Sequence, residues 1–187
     1  MSTFRVAGSS SVARAGFLSV SEVAVEGPGD ERFERIVVHH PGAVVVVPVE
    51  GDAALLVRQF RAAVGGDLLE VPAGKRDVDG EPPEETARRE LEEEIGRRPG
   101  RLVKLCEFFN SPGFCDEYSH VFLALDLETL PSAVSVNPEE REMTLHPVPL
   151  ADVEELVARG DLTDAKSIVG LLLARRYLAG EYRGYRG

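Results

Sequence analysis

The sequence predicts an α/β domain of the α+β kind, a mixed β-sheet with helices packed on it, and three observations carry that expectation. A continuous valine run in "HHPGAVVVVPVE" (39–50) is the mark of a strand buried on both faces. Alternating apolar and polar residues recur on either side of it, as in "FLSVSEVAVE" from Phe17 and "FERIVV" from Phe33. Three later stretches, 83–95, "LADVEELVARG" and "DAKSIVGLLLARRYLA", place apolar residues at helical spacing.

Taken in chain order, "MSTFRVAGSSSV" is small and polar and predicts a frayed end. The two alternating segments that follow are joined by "GPGD", which supplies turn chemistry for a hairpin or meander. This N-terminal piece is short of core for its length, so a partner surface is expected for it. "AALLVRQFR" from Ala53 is a strand, and "EVPAG" leads into a loop. Pro82 and Pro83 suit a first helical turn, Ala87, Leu91 and Ile95 recur at i, i+4, i+8, and Gly96 is the expected stop. Further strands are expected at "RLVKLCEFF", "YSHVFLALDL" and "MTLHPVP", before the two C-terminal helices.

The 187 residues suffice for one domain with a small appendage. With 21 basic and 32 acidic residues the net charge is −11, which argues against a nucleic-acid backbone as partner. It does not exclude a small phosphorylated substrate, because bound divalent cations invert the electrostatics of an acidic pocket. No apolar run long enough for a bilayer and no basic-then-apolar leader is visible, so a soluble cytoplasmic protein is expected. Cys106 and Cys115 have no metal spacing and read as ordinary cysteines in a reducing compartment. His39, His40, His120 and His146 lack metal spacing too and read as structural.

"RRELEEEIG" (88–96) crowds Glu90, Glu92, Glu93 and Glu94 toward a helix C-terminus, where the macrodipole and mutual repulsion both oppose them. At about 100° per residue, Glu93 and Glu94 fall about 60° and 40° to either side of Glu90, while Glu92 points away. A solvated acidic face costs only roughly 0.2–0.5 kcal/mol per like-charge pair. A divalent cation is the alternative, since Mg²⁺ takes carboxylate oxygens and keeps water and substrate phosphates as its other ligands. Clustering alone does not decide between the two.

The surrounding residues do bear on it. "GKRDVDGEPPEETARRELEEEIGR" from Gly74 resembles the Nudix box, with a glutamate, Glu81, followed after seven residues by Arg89, Glu90, Leu91, Glu92, Glu93, Glu94, Ile95 and Gly96. Two departures stand out: six residues rather than five separate Gly74 from Glu81, and the usually apolar last position is Arg97. "HHPGAVVVVPV", "LLVRQFR", "LLEVPAGK", "SPGFCDE" and "DLTDAKSIVGLLLA" extend the likeness to the ADP-ribose pyrophosphatase branch of the Nudix hydrolases, over roughly residues 17–179. In that branch a proline sixteen residues beyond the final glycine of the box goes with ADP-ribose use, and Pro112 holds that position.

The resemblance implies a Nudix fold, a mixed sheet sandwiched between helices, with residues 1–40 as a small N-terminal antiparallel β region and 41–187 as the hydrolase domain. It implies hydrolysis of ADP-ribose to AMP and ribose 5-phosphate, with Mg²⁺, or Mn²⁺ as substitute, neutralising the diphosphate and orienting the water. The alternatives are another nucleoside diphosphate sugar, such as ADP-glucose or GDP-mannose, or a sensor that binds a nucleotide without cleaving it. By the same resemblance Glu90 and Glu94 are the principal metal ligands, Glu93 a further ligand and part of the catalytic set, and the Ala73 carbonyl another oxygen. Arg89 orients the glutamates or merely pairs with Glu93 or Glu85, and Glu81 is structural.

The water-activating base is sought in "VNPEEREMTLH", with Glu142 first, Glu140 second and Glu139 third, and with Glu117 of "GFCDE" as another candidate. A solvated loop without catalytic role is the competing reading there. Arg61 resembles a phosphate-contacting arginine, with a rim ion pair as the alternative. Glu70 and Arg35 are candidates for ribose and adenine contacts, and Pro112, Gly113 and Phe114 shape the pocket beside the ribose. Members of the branch pair through their N-terminal strands, so a homodimer is expected, with no nucleic-acid or membrane partner.

Overall fold

Eight of the twelve residues expected to fray, 5–12, belong to a strand instead. The computed structural model describes residues 3–131 and 142–187, and strand β1 spans Arg5–Ala15. Every residue of β1 is exposed, so no apolar alternation marked it in the sequence. Backbone pairing holds it to β2 (Leu18–Glu26) from Arg5↔Glu26 to Ala15↔Leu18, across a turn in which Gly16 takes φ +57°. β2 in turn pairs antiparallel with β3 (Arg32–His39), and "GPGD" between them forms a short 3₁₀ turn at Pro28–Asp30. Glu26 receives Arg5 and, at 3.1 Å, Arg32. These three strands are the sheet of one compact unit, Met1–Gly42 with Phe109–Tyr118; the other unit is Ala43–Phe108 with Ser119–Gly187.

In the second unit the valine run is the central strand. β4 (Ala43–Glu50) lies between β5 (Ala53–Arg61) and β9 (Tyr118–Thr129) in the order β10-β5-β4-β9-β8, where β8 is Arg97–Phe109 and β10 is Thr144–Pro149. β6 (Gly66–Glu70) adds to β5, and β7 (Ala73–Lys75), which takes the last two residues of "EVPAG" and the first of the loop expected after it, adds to β4. The sheet is mixed, because β4 runs parallel to β9 and antiparallel to β5 and β7.

The helices explain why every valine of β4 is apolar. Val44 and Val46 pack with Ala87, Leu91 and Ile95 of α1 (Pro83–Ile95), while Val45, Val47 and Val49 pack with Leu171 and Ala174 of α3 (Ala165–Leu178). One strand therefore carries a helix on each face. Burial of each such valine stabilises the fold by roughly 1.5–3 kcal/mol. A Cβ at Gly170 of α3 would lie 2.9 Å from Val47, so the glycine lets that helix close on the strand.

Local signals set the helix ends. Pro83 opens α1 after an extended Pro82, Glu84 and Glu85 occupy the first turn, and Gly96 ends it at φ +61° with its N–H donating to the Leu91 carbonyl. Asp164 caps α3 by accepting from the Ser167 N–H at 2.9 Å and the Ser167 hydroxyl at 2.6 Å. "LADVEELVARG" divides into a 3₁₀ turn at Leu150–Asp152 and a short α2 at Val153–Arg159.

Candidate active site on the acidic helix

The apolar stripe of α1 is fully sequestered on the sheet, and this turns its acidic positions toward β7 and the loop beyond it. The Ala73 N–H donates to the Glu94 carboxylate at 3.3 Å. One residue further, a methyl group on Gly74 would overlap the Glu90 carboxyl group, so Glu90 lies directly against the backbone at that position. Glu90 and Glu94, one helical turn apart, thus meet consecutive residues of β7.

Arg89 holds the other acids. Its guanidinium reaches Glu90 at 2.9 Å, Glu93 at 3.2 Å and Glu81 at 3.3 Å, and Glu81 also accepts from the Thr86 hydroxyl at 2.7 Å. Arg89 thus pairs with Glu93 at i,i+4 and also contacts its neighbour Glu90. Glu93 lies with Arg89, Arg88 and Glu85 beside a concavity on the outer side of the helix. Glu92 borders the same concavity and pairs with Arg98 at 2.7 Å.

Burial drives the electrostatics. It pushes the Glu90 carboxyl up to about 7, opposed by Arg89 and reinforced by Glu93 and Asp77. Burial acts on Arg89 in the opposite direction, but Glu81, Glu90 and Glu93 outweigh it and raise the guanidinium further. Glu81 is lowered by hydrogen bonds from Arg89 and Thr86. Among the described residues no three His, Cys, Asp or Glu side chains are grouped to hold a metal ion. The donors that do converge are Glu90 and Glu94 on β7, hard oxygen ligands of the kind Mg²⁺ takes, with Glu93 drawn to Arg89.

Gly74→Ala is expected to displace the flexible end of Glu90 and leave the fold standing. Thermal unfolding should stay near that of the parent, while divalent-cation affinity, read by calorimetry, falls about 10- to 100-fold.

The other sequence-predicted residues fall in three places. Arg61 and Glu70 bind each other, Nε and Nη2 donating to the two carboxylate oxygens at 2.8 and 2.7 Å; Glu70 is 1% exposed. Arg61 also feels the charges of Glu94 and Asp164. In the N-terminal unit Pro112, Gly113 and Phe114 form an exposed turn in which the Phe114 N–H donates to the Ser111 carbonyl at 3.1 Å. Asp116 anchors that turn to the end of β3, contacting His39 Nδ1 at 2.6 Å and accepting from the His40 N–H at 2.8 Å. Glu117 lies 4.0 Å from His40. Arg35 is exposed and stacks 4.3 Å from the Phe33 ring centroid. Glu142 is exposed in a turn, and Glu139 and Glu140 lie outside the described residues.

Sequence reasoning missed a polar cluster behind the helix. His120, 9% exposed, approaches Glu107 at 2.6 Å and Arg76 at 3.3 Å, and Glu107 also binds Lys104. Lys104 and Glu107 stand on β8, His120 on β9 and Arg76 just beyond β7, and only the pairing of β4 with β9 and with β7 brings His120 into line with Gly74.

The NUDIX domain model matches residues 38–169. The chain is 41% identical over 144 residues to the ADP-ribose pyrophosphatase of Bacillus subtilis, covering 76% of this chain and 77% of that protein. It is 36% identical over 157 residues to the ADP-ribose pyrophosphatase of Mycobacterium tuberculosis, covering 83% and 75%. A crystal structure titled as an ADP compounds hydrolase superposes with a TM-score of 0.84 at 25% identity over 97% of each chain. With its acidic box on α1, its two-faced central strand and these likenesses, the chain belongs to the Nudix family.

Proposed function

We propose that this chain is a divalent-metal-dependent hydrolase that splits the diphosphate of ADP-ribose into AMP and ribose 5-phosphate. The observation that carries the reading is the convergence of Glu90 and Glu94 on the backbone of Ala73 and Gly74. The names borne by its relatives support the substrate. Glu90 and Glu94 would hold Mg²⁺, or Mn²⁺ as substitute, with Glu93 and the Ala73 carbonyl as further oxygens. When bound it neutralises the phosphate oxygens and acidifies the attacking water.

The chain's own residues supply the rest. Arg89 keeps the carboxylates from repelling one another and fixes their rotamers. Glu70 presents Arg61 as a planar fork suited to phosphate oxygens. Glu142 takes the proton of the water. The exposed apolar residues Phe4, Val6, Val12, Phe17 and Ile36 of the N-terminal unit support a homodimer, and the two free cysteines suit the cytoplasm.

The test is a panel of ADP-ribose, ADP-glucose and GDP-mannose with Mg²⁺, scored by release of AMP or GMP. ADP-ribose is expected to be cleaved fastest. A faster rate on another sugar reassigns the substrate, and cleavage of none, with ADP-ribose raising Tm, makes the chain a sensor.

A pH dependence follows from Glu90. Its carboxyl is raised in the folded state, so the stability it contributes is present below the ordinary glutamate range and is lost as pH rises through about 7. A cation replaces the proton at high pH. The increase in Tm caused by Mg²⁺ should therefore grow from pH 5.5 to pH 8, and Glu90→Gln should flatten that trend.

A further inference from the structure

The histidine that lacks any metal spacing occupies a defined place relative to the acidic helix. Val44 of β4 pairs with Gly74 of β7 on one side and with His120 of β9 on the other, so the three residues form one row across the sheet. Val44 packs on the apolar stripe of α1, and residues paired across strands share a face. His120 therefore lies on the face where Glu90 meets Gly74, two strands away from it.

The hydrogen bonds fix its chemical form. Arg76 has only donors, so the contact at 3.3 Å makes His120 Nε2 the acceptor, and Nδ1–H donates to Glu107 at 2.6 Å. Burial lowers the imidazole pKa, opposed by Glu107, which agrees with a neutral ring. Glu107 is itself anchored: burial pushes it up, but hydrogen bonds from Lys104, Tyr185 and His120 bring it down to about 2. The Arg76 Nε is buried without a hydrogen bond, so the guanidinium depends on its terminal nitrogens, which reach His120 and, at 3.5 Å, the Glu81 carbonyl. Glu81 then holds Arg89, and Arg89 holds Glu90 and Glu93. A continuous chain of polar contacts runs from edge strand β8 to the acids of α1.

We infer that Glu107 and His120 are positioning residues for the carboxylates of α1, acting through Arg76 and the loop between Lys75 and Pro82. The inference rests on the metal reading proposed above. His120 sets where Arg76 lies, Arg76 tethers the loop at Glu81, and the loop fixes the anchor to which Arg89 and the carboxylates are tied. The role assigned to His120 and Glu107 needs no contact with metal or substrate.

The test is binding of Mn²⁺ alone to the full chain, read by electron paramagnetic resonance of the free ion, with Tm recorded for each variant. His120→Leu removes the acceptor and is expected to weaken Mn²⁺ roughly tenfold, within the range for residues that support ligands. His120→Gln keeps an acceptor for Arg76 and is expected to restore most of the affinity. The double variant Arg76→Met/His120→Leu should bind no more weakly than Arg76→Met alone, because both cut one link. Wild-type affinity in His120→Leu, no rescue by His120→Gln, or additive losses in the double variant overturns the inference. Glu94→Gln is the control: if it binds Mn²⁺ as the parent does, the metal reading itself fails and takes the inference with it.

Discussion

Glu94→Gln is expected to give a folded protein that turns over ADP-ribose at least about a hundredfold more slowly than the parent, measured as AMP release at saturating Mg²⁺. The substitution preserves shape, and an amide oxygen still accepts from the Ala73 N–H, so the contact with β7 survives. The apolar stripe of Ala87, Leu91 and Ile95, which docks α1, is untouched. What disappears is one full negative charge from the pair of carboxylates meeting β7. Tm should stay within a few degrees of the parent in the absence of metal. Near-parental turnover would remove Glu94 from the metal site, and a large fall in Tm would make its role structural.

Arg61→Met is expected to destabilise the protein by roughly 2–3 kcal/mol, read from urea unfolding. Breaking a buried pair by deleting one partner leaves the other charge uncompensated, at a cost of about 3–5 kcal/mol for a fully buried pair. Glu70 meets that condition at 1% exposure, while the Arg61 side chain is 36% exposed, so water screens part of the loss. Arg61→Lys keeps a cation but loses the fork, and should recover part of the stability. The two jobs given to Arg61 separate here. If Arg61→Lys is stable yet has a raised KM for ADP-ribose, the fork contacts phosphate; an unchanged KM confines Arg61 to holding Glu70.

Much of this architecture was legible because the helix and the central strand obey simple periodicities. Pro83, the i, i+4, i+8 stripe and Gly96 delimit α1 at the residues where it begins and stops. The valine run announces burial on two faces, and alternate valines do meet different helices. β1 escaped because an exposed strand of small polar residues has no apolar face to produce a signal; its order comes from pairing with β2. The pairing of Arg61 with Glu70 and the line from Glu107 to Arg76 escaped for another reason. Each joins side chains of different elements that are not register partners, as Arg61 stands opposite Gly66 and Glu70 opposite Val57, and no spacing within a single segment encodes such a reach.

The two-faced central strand also constrains the order in which the chain can fold. β4 is an early segment, but one of its neighbours, β9, follows α1 in sequence, and its second helix, α3, comes later still. In a chain made from the N-terminus, the acidic helix is complete before the surface it docks on has its parallel neighbour, and parallel pairing of distant segments carries the loop-closure entropy that slows folding. Until β9 arrives, the valines of β4 and the stripe of α1 must shelter one another. The four glutamates that crowd the same helix keep that stretch charged whether or not the helix has docked, which opposes its association with other chains.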